Sequence, residues 1–424
     1  LPARSEMCIR DRGNKTVFVS RIALDTFRSW KHIICDFQPG INIILGNNGL
    51  GKTNIVESLE IVGTGISHRT SSTLPLVTRG YETSTIRINV CANKEDTTYE
   101  VTLSIKGANR ARINSGKSLY MREIAGLLPV VSFTPRDQSL IFGDPNIRRT
   151  FLDQAGTLLL PNYAQLIQEF RHIAKQRAAL LKNIRENSYS ERNISLSGLE
   201  IWTGRFIESG IAVTRARNQV VTILNNSFTQ LVQNLTNNSE NAILQYAPSF
   251  EEVLKSYDSH NELLQDIGEH FQRIYEGELA RGCNLIGPHR DDVNFMLDSM
   301  LAKDFASNGE SWTLAIAAKM ALCKALEEKN RDNPVIILDD VFAQLDEQRR
   351  QQILNFAEQQ GQVFITTSSI SDIPNSIENS ELCNHHIIDV ADLTSQQDDD
   401  INSLHTTMLK GILAQRSSQE NDAL

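Results

Sequence analysis

The segment that most constrains this chain is Gly46-Asn47-Asn48-Gly49-Leu50-Gly51-Lys52-Thr53. It fits G-x-x-x-x-G-K-[ST], directly after the apolar run INIIL and directly before residues 54–66, which have helical spacing. A strand, a glycine-rich turn and a helix in that order make a cradle for phosphate. The glycines let backbone N–H groups approach the anion, Lys52 reaches the β and γ oxygens, and the Thr53 hydroxyl is placed to hold Mg²⁺. The chain is therefore expected to be α/β, with ATP and Mg²⁺ as its cofactors.

A second half of such a site lies far downstream in PVIILDD, residues 334–340. Four apolar residues followed by two carboxylates describe a buried strand that delivers acids to its C-terminal end. Asp339 would bind Mg²⁺ through water, and Asp340 would orient or deprotonate the attacking water. Ser307-Asn308-Gly309-Glu310 stands about 30 residues ahead of Asp339 and opens the helical run TLAIAAKMALCKALEE. Taken alone it also fits a capping turn. Gln344-Leu345-Asp346 follows, and the strand VFITT brings Thr366 or Thr367 to the γ-phosphate. The catalytic set is expected to be Lys52, Asp339 and Asp340.

The remaining texture sets the organisation. Residues 17–45 and 83–105 read as strands, and residues 155–280 carry apolar positions at three- and four-residue intervals in helical runs of at most some 35 residues. From about 281 the α/β texture returns. The expected layout is an α/β head of residues 13–154 and 281–392, an inserted helical lobe at 155–280, and an acidic flexible tail at 393–424. Residues 1–12 have no strand or helix period and read as foreign to the fold. With 42 basic and 51 acidic residues the net charge is −9, which excludes bulk-charge binding of nucleic acid. Six scattered cysteines without CxxC spacing fit neither a zinc site nor a disulfide framework, so a reducing cytoplasm is expected. No apolar run approaches the roughly 18 residues of a membrane span.

These motifs, together with SHRT (67–70), PRDQSLIFGDPNIRRTFLD (135–153) and GPHRDD (287–292), resemble the ATP-binding-cassette (ABC) ATPase heads of the SMC class, and most closely the RecF family of bacterial recombination mediators. The resemblance covers roughly residues 17–390. It implies an ABC/SMC-type P-loop ATPase head with an inserted helical lobe. It also implies that two copies sandwich two ATP molecules, with the Ser307–Glu310 signature of one protomer completing the site of the other and Gln344–Asp346 forming the D-loop. Slow DNA-stimulated hydrolysis, binding at single-strand/double-strand junctions or gaps, and work with RecO and RecR in loading RecA are further implications. Arg136 and Gln344 stand where the family usually has acids.

Two basic stretches are candidates for DNA contact. Residues 101–122 hold Lys106, Arg110, Arg112, Lys117 and Arg122 with no acid, and residues 161–190 include Arg171 and Lys175, one turn apart. A solvated hairpin and ordinary helix solubility are the competing readings. Arg148 and Arg149 fit structural pairing with carboxylates between the lobes, and His68, Arg69 and residues 287–292 are polar clusters expected near the nucleotide or the lobe junction. The rival classes are an ATPase subunit of a transport machine and an SMC-like tether. A nuclease lacks the further acidic constellation it would need to hold two metals.

Overall fold

The computed structural model describes residues 17–395, except 71, 93–94, 187–188, 238, 331–332 and 375–384. The segments 1–12 and 396–424, where a foreign leader and most of an acidic tail are expected, lie outside the described residues. Residues 390–395 are helical.

The N-terminal half alternates buried and exposed positions, as strands with one wet face must. It builds β1 (Val17–Phe27), β2 (Trp30–Asp36), β3 (Gly40–Leu45), α1 (Lys52–Thr64), β4 (Thr83–Ala92), β5 (Glu95–Ser104), β6 (Arg110–Ile113), β7 (Leu119–Tyr120), α2 (Met121–Ile124) and β8 (Val130–Phe133). Helices follow: α3 (Ser139–Phe142), α4 (Pro145–Leu159), α5 (Tyr163–Glu186) and α6 (Tyr189–Leu235). The rest is β9 (Ala242–Ala247), α7 (His260–Arg281), β10 (Asp292–Leu297), β11 (Met300–Leu301), α8 (Ala302–Phe305), α9 (Asn308–Asn330), β12 (Val335–Asp339), α10 (Glu347–Glu358), β13 (Gln362–Thr367) and β14 (His386–Asp389).

Three sheets result. An antiparallel sheet runs β2-β1-β4-β5-β6-β7, a parallel sheet runs β14-β3-β13-β12-β8, and a small sheet runs β11-β10-β9. The parallel strands are nearly continuous apolar runs, because both of their faces are covered. Helix α1 packs between the two larger sheets: Ile55, Val56, Leu59 and Val62 share a core with Ile22, Ile86 and Ile88 of the antiparallel sheet and with Ile44, Ile337 and Phe364 of the parallel one. On the other side, α9 and the C-terminal half of α6 share a core with β12.

The helical stretch departs from its sequence reading in two ways. Helix α6 runs 47 residues, not 35 at most, and so is about 70 Å long. Its first ten residues, YSERNISLSG, are polar without an apolar period, so periodicity gives no sign of the extra turns. The stretch also contains β9, which pairs antiparallel with β10, from Asp292↔Ala247 to Leu297↔Ala242. The first half of α6 packs with α5 and α7 through Phe206, Ile211 and Val213, whereas Val220, Leu224, Phe228 and Val232 belong to the core of the sheets.

Candidate nucleotide site

Strand β3 pairs in parallel with β13, and β13 with β12. Their C-terminal ends therefore lie side by side, where an open α/β sheet binds its ligands. The loop 46–51 springs from β3, and α1 begins at Lys52. Gly51 has φ +96°, and a Cβ there would come within 2.8 Å of Ser29 Oγ and Trp30 Nε1, so only glycine fits. Trp30 Nε1 donates to the Gly51 carbonyl at 3.2 Å and pins the loop to the antiparallel sheet.

The expected chemistry converges here. Thr53 Oγ1 donates to Asp339 Oδ1 at 2.9 Å, and Thr366 Oγ1 donates to the same oxygen at 2.6 Å. Two strand ends and α1 are thus tied by one carboxylate. Thr366 is the member of the Thr366–Thr367 pair that enters the site. The Thr367 hydroxyl instead donates to Ser369 O at 2.9 Å. Lys52 Nζ is folded onto the loop, donating to the carbonyls of Gly46 and Asn47 and, at 3.4 Å, to Asn48 Oδ1. Burial pulls the Lys52 pKa down against the attraction of Asp340 and Asp339.

Asp340 sits just past β12 in the left-handed region, φ +53°, with its N–H donating to Thr366 Oγ1 at 3.0 Å and to Thr366 O at 3.2 Å. This sparsely populated conformation turns the residue out of the strand line. Burial, and then the charge of Asp339, raise its pKa, partly offset by Lys52. A carboxylate whose charge is disfavoured is the stronger base.

Thr53 and Asp339 fit a magnesium ion as a hydroxyl and a carboxylate held together. Among the described residues no group of three or more His, Cys, Asp or Glu could hold a metal alone. An ion here would draw its remaining ligands from phosphate and water, which is the usual habit of Mg²⁺.

The Ser307–Glu310 segment makes no hydrogen bond to the phosphate loop among the described residues. Ser307 N–H donates to Glu310 Oε2 at 2.6 Å, and Glu310 N–H donates back to Ser307 Oγ at 3.3 Å. It is thus a reciprocal cap at the start of α9, with Ser307 and Asn308 exposed. Gln138 Nε2 donates to Asn308 O at 3.2 Å. A Cβ on Gly309 would meet Arg349 Nη2 at 2.9 Å, and Arg349 is ion-paired with Asp346, which caps α10. Leu345 is a buried core residue, and the side chain of Gln344 lies outside the described residues.

Several residues that carry the site carry no motif. Glu57 and Glu60 lie buried on α1. Glu57 accepts from Arg28 at 2.9 Å, from Arg69 at 3.0 Å and from Ser67 at 2.5 Å. Glu60 accepts from Ser132 at 2.9 Å and pairs with His68 Nδ1 at 2.6 Å. Lys319 on α9 donates to Asp137 Oδ1 at 2.8 Å and to Ser132 O at 2.5 Å. The available signal was two acids in the apolar run NIVESLEIVG and Lys319 inside the apolar stretch LAIAAKMALC.

Arg148 and Arg149 serve the junction between sheets and helices. Arg148 forks onto Asp292 at 2.6 and 2.9 Å, and Arg149 donates to Asp291 O at 2.8 Å. At its centre is Arg217 of α6, which reaches Asp153 Oδ1 at 2.9 Å, Asp291 Oδ2 at 3.1 Å and Pro288 O at 2.6 Å. His289 sits in the helical half, its ring centroid 6.1 Å from that of Phe206.

The basic hairpin is less free than its local charge suggests. Lys106 pairs with Glu82, Arg112 lies 3.9 Å from Glu100, and Arg110 and Arg122 stack on Tyr120 at 4.1 and 4.5 Å. Counting charge along the chain missed Glu82 and Glu100, which the sheet brings alongside. Lys117 and Lys175 are exposed, whereas Arg171 holds the buried Asp153 at 2.8 Å. Among the described residues no helix is long and apolar enough to cross a membrane.

Residues 18–384 match the family described as RecF/RecN/SMC N terminal domain. Over 412 residues the chain is 52% identical to a Bifidobacterium adolescentis protein described as DNA replication and repair protein RecF, covering 96% of this chain and 100% of that one. A Bifidobacterium longum subsp. infantis protein of the same description is 53% identical over 378 residues, 88% of this chain and 89% of its own. Among solved structures, the recombination mediator protein RecF with ATP in the RecFOR pathway superposes with TM-score 0.76 at 27% identity, over 86% of this chain and 95% of that one.

Proposed function

Because the chain belongs to the RecF/RecN/SMC N-terminal domain family, and within it to the RecF group of DNA replication and repair proteins, we propose that it is an ATP-switched, DNA-binding clamp of recombinational gap repair. In this scheme two copies close around two ATP molecules, residues 155–280 act as a helical lobe on each head, and slow hydrolysis reopens the pair. The observation that carries the proposal is the hydrogen-bonded knot of Thr53, Asp339 and Thr366 beside Lys52, combined with a Ser307–Asn308 segment left exposed.

ATP would draw Lys52 from the loop carbonyls onto its phosphates. Thr53 and Asp339 would hold Mg²⁺, which neutralises phosphate charge when bound. Asp340 would take a proton from the attacking water. A ligand shared across an interface stabilises only the closed pair, so ATP favours the dimer and its loss releases it. The DNA is left covalently unchanged, and binding at single-strand/double-strand junctions, with RecO and RecR as partners and RecA as the recombinase loaded, extends the reading to the RecFOR pathway named for its relative.

Sedimentation with ATP and with ADP, on the wild type and the Lys52→Ala and Ser307→Arg variants, tests the shared site. ATP should give a dimer that neither variant forms alone, and mixing the two variants should restore part of the hydrolysis, because each supplies the half the other lacks. Hydrolysis that stays absent in the mixture, or full activity of a monomer, would contradict the composite site.

A further inference from the structure

A cleft of about 860 Å³ opens behind α1 and shares none of residues 46–53. Several parts of the chain wall it: residues 65–70 and 72–73 behind α1, the turn from Thr134 to Leu140 after β8, α4, and single side chains from β5, the Asn109 turn, α2, α5 and α9. Arg69, Arg136, Arg171 and Lys319 face it against one carboxylate, Asp137. That carboxylate is already used, accepting from Lys319 and from Thr134 Oγ1 at 3.0 Å. Arg171 spends one terminal nitrogen on Asp153 and is otherwise exposed. Arg136 is exposed and has no side-chain partner among the described residues. Hydroxyl and amide donors such as Thr70, Thr73, Asn109 and Asn146 join them, beside apolar side chains such as Ile66, Leu103, Met121 and Ile147.

We propose that this cleft holds the sugar-phosphate backbone of a nucleic-acid strand, an inference that rests on the DNA-binding reading above. Cations converging from separate elements with no free acid among them select a ligand carrying several negative charges. A volume near the top of the roughly 300–1,000 Å³ of ligand clefts admits a short stretch of single strand and is too small for a duplex. Its one aromatic side chain, Phe151, is buried, so bases find no stacking platform and the contacts fall on phosphate and sugar, without sequence readout.

The cleft is also wired to the nucleotide. Arg69 and Ser67 bind Glu57, and His68 binds Glu60, both on the helix that begins at Lys52. Lys319 lies on the helix that begins beside Ser307. A phosphate that recruits Arg69 competes with Glu57 and loads the helix under ATP, so strand and nucleotide affinities are coupled reciprocally.

The test is fluorescence anisotropy with a short labelled oligothymidylate over a salt series, on the full chain, with Arg136→Ala, Arg136→Glu and Lys117→Glu. Arg136 is exposed and unpaired, so its variants should fold and bind ATP as the wild type does, and ATP affinity and Tm check this. Arg136→Ala should weaken binding and lower the slope of log K against log salt by about 0.7–1, one phosphate contact. Arg136→Glu should weaken it further, and Lys117→Glu should change it less. Inorganic tripolyphosphate should compete poorly. An unchanged slope in Arg136→Glu overturns the cleft while leaving DNA binding intact. A wild type that binds a gapped duplex but no oligonucleotide removes the strand from the cleft, and one that binds neither removes both readings. Arg136-dependent binding of tripolyphosphate alone overturns the strand in favour of a small phosphate ligand.

Discussion

At the scale of single residues, the site works by placing charges where water would not leave them. Asp339 is the structural anchor, accepting from two hydroxyls, and its charge is part of what raises Asp340. Under the proposed mechanism Asp340→Asn removes the base and the repulsion together. Nucleotide should still bind, and hydrolysis should fall by about 10²–10⁴-fold, as single-turnover phosphate release would show; wild-type turnover would exclude Asp340 as the base. The His68–Glu60 pair behind the site sets a stability window. Burial lowers the His68 pKa, but its bond to Glu60 outweighs this and holds it above the ordinary 6.5. Burial raises that of Glu60, but His68 and Ser132 hold it below 4.5. The histidine contribution is therefore complete below pH 6.5 and fades as pH rises through the raised value. The glutamate contribution is present above pH 4.5 and fades as pH falls through the lowered one. His68→Leu takes the cation from buried Glu60, leaving it Ser132 and the residue-68 backbone N–H, and should cost about 3 kcal/mol at neutral pH, with the loss shrinking in acid as Glu60 protonates; chemical denaturation at pH 7 and pH 4 measures both.

At the scale of elements, α6 is the piece that sequence reading could only half see. From Leu199 onward it showed in apolar spacing because those residues pack against α5, α7 and the core of the sheets, whereas its polar start had no such period and β9 was too short to stand out from the helices around it. The phosphate loop, β12 and β13 were legible because each motif is local and its strand is buried on both faces. What stayed hidden is long-range pairing: Glu57 with Arg69, Lys319 with Asp137, and above all Arg217, which sits in an unremarkable helical run yet joins α4, α6 and the turn before β10. Arg217→Met would leave Asp291 buried without its cation and Asp153 with Arg171 alone, although Tyr163 and Tyr246 still donate to them. A loss of about 3–5 kcal/mol is expected, read as a lower midpoint in urea. A change under 1 kcal/mol would show that the partners left to the two acids, the tyrosines with Arg171 and the Ser249 N–H, satisfy them.

At the scale of the whole molecule, the phosphate loop and the Ser307–Glu310 segment stand on different sides of the core they share, so in the proposed dimer one copy would present half of each of two sites. α1 carries the loop, α9 carries the signature, and Ser132 lies between them, bonded to Glu60 on one side and Lys319 on the other. A net charge of −9 means that DNA must be met by local basic surfaces, and its hold should weaken steeply as salt rises. The central claim is that ATP gates this hold. The most direct measurement is the affinity for a gapped duplex at one fixed salt concentration with ATP, with ADP and with no nucleotide, alongside Lys52→Ala and Ser307→Arg. The account predicts tighter binding with ATP alone and loss of that gain in both variants; equal affinity in all three nucleotide states would contradict it.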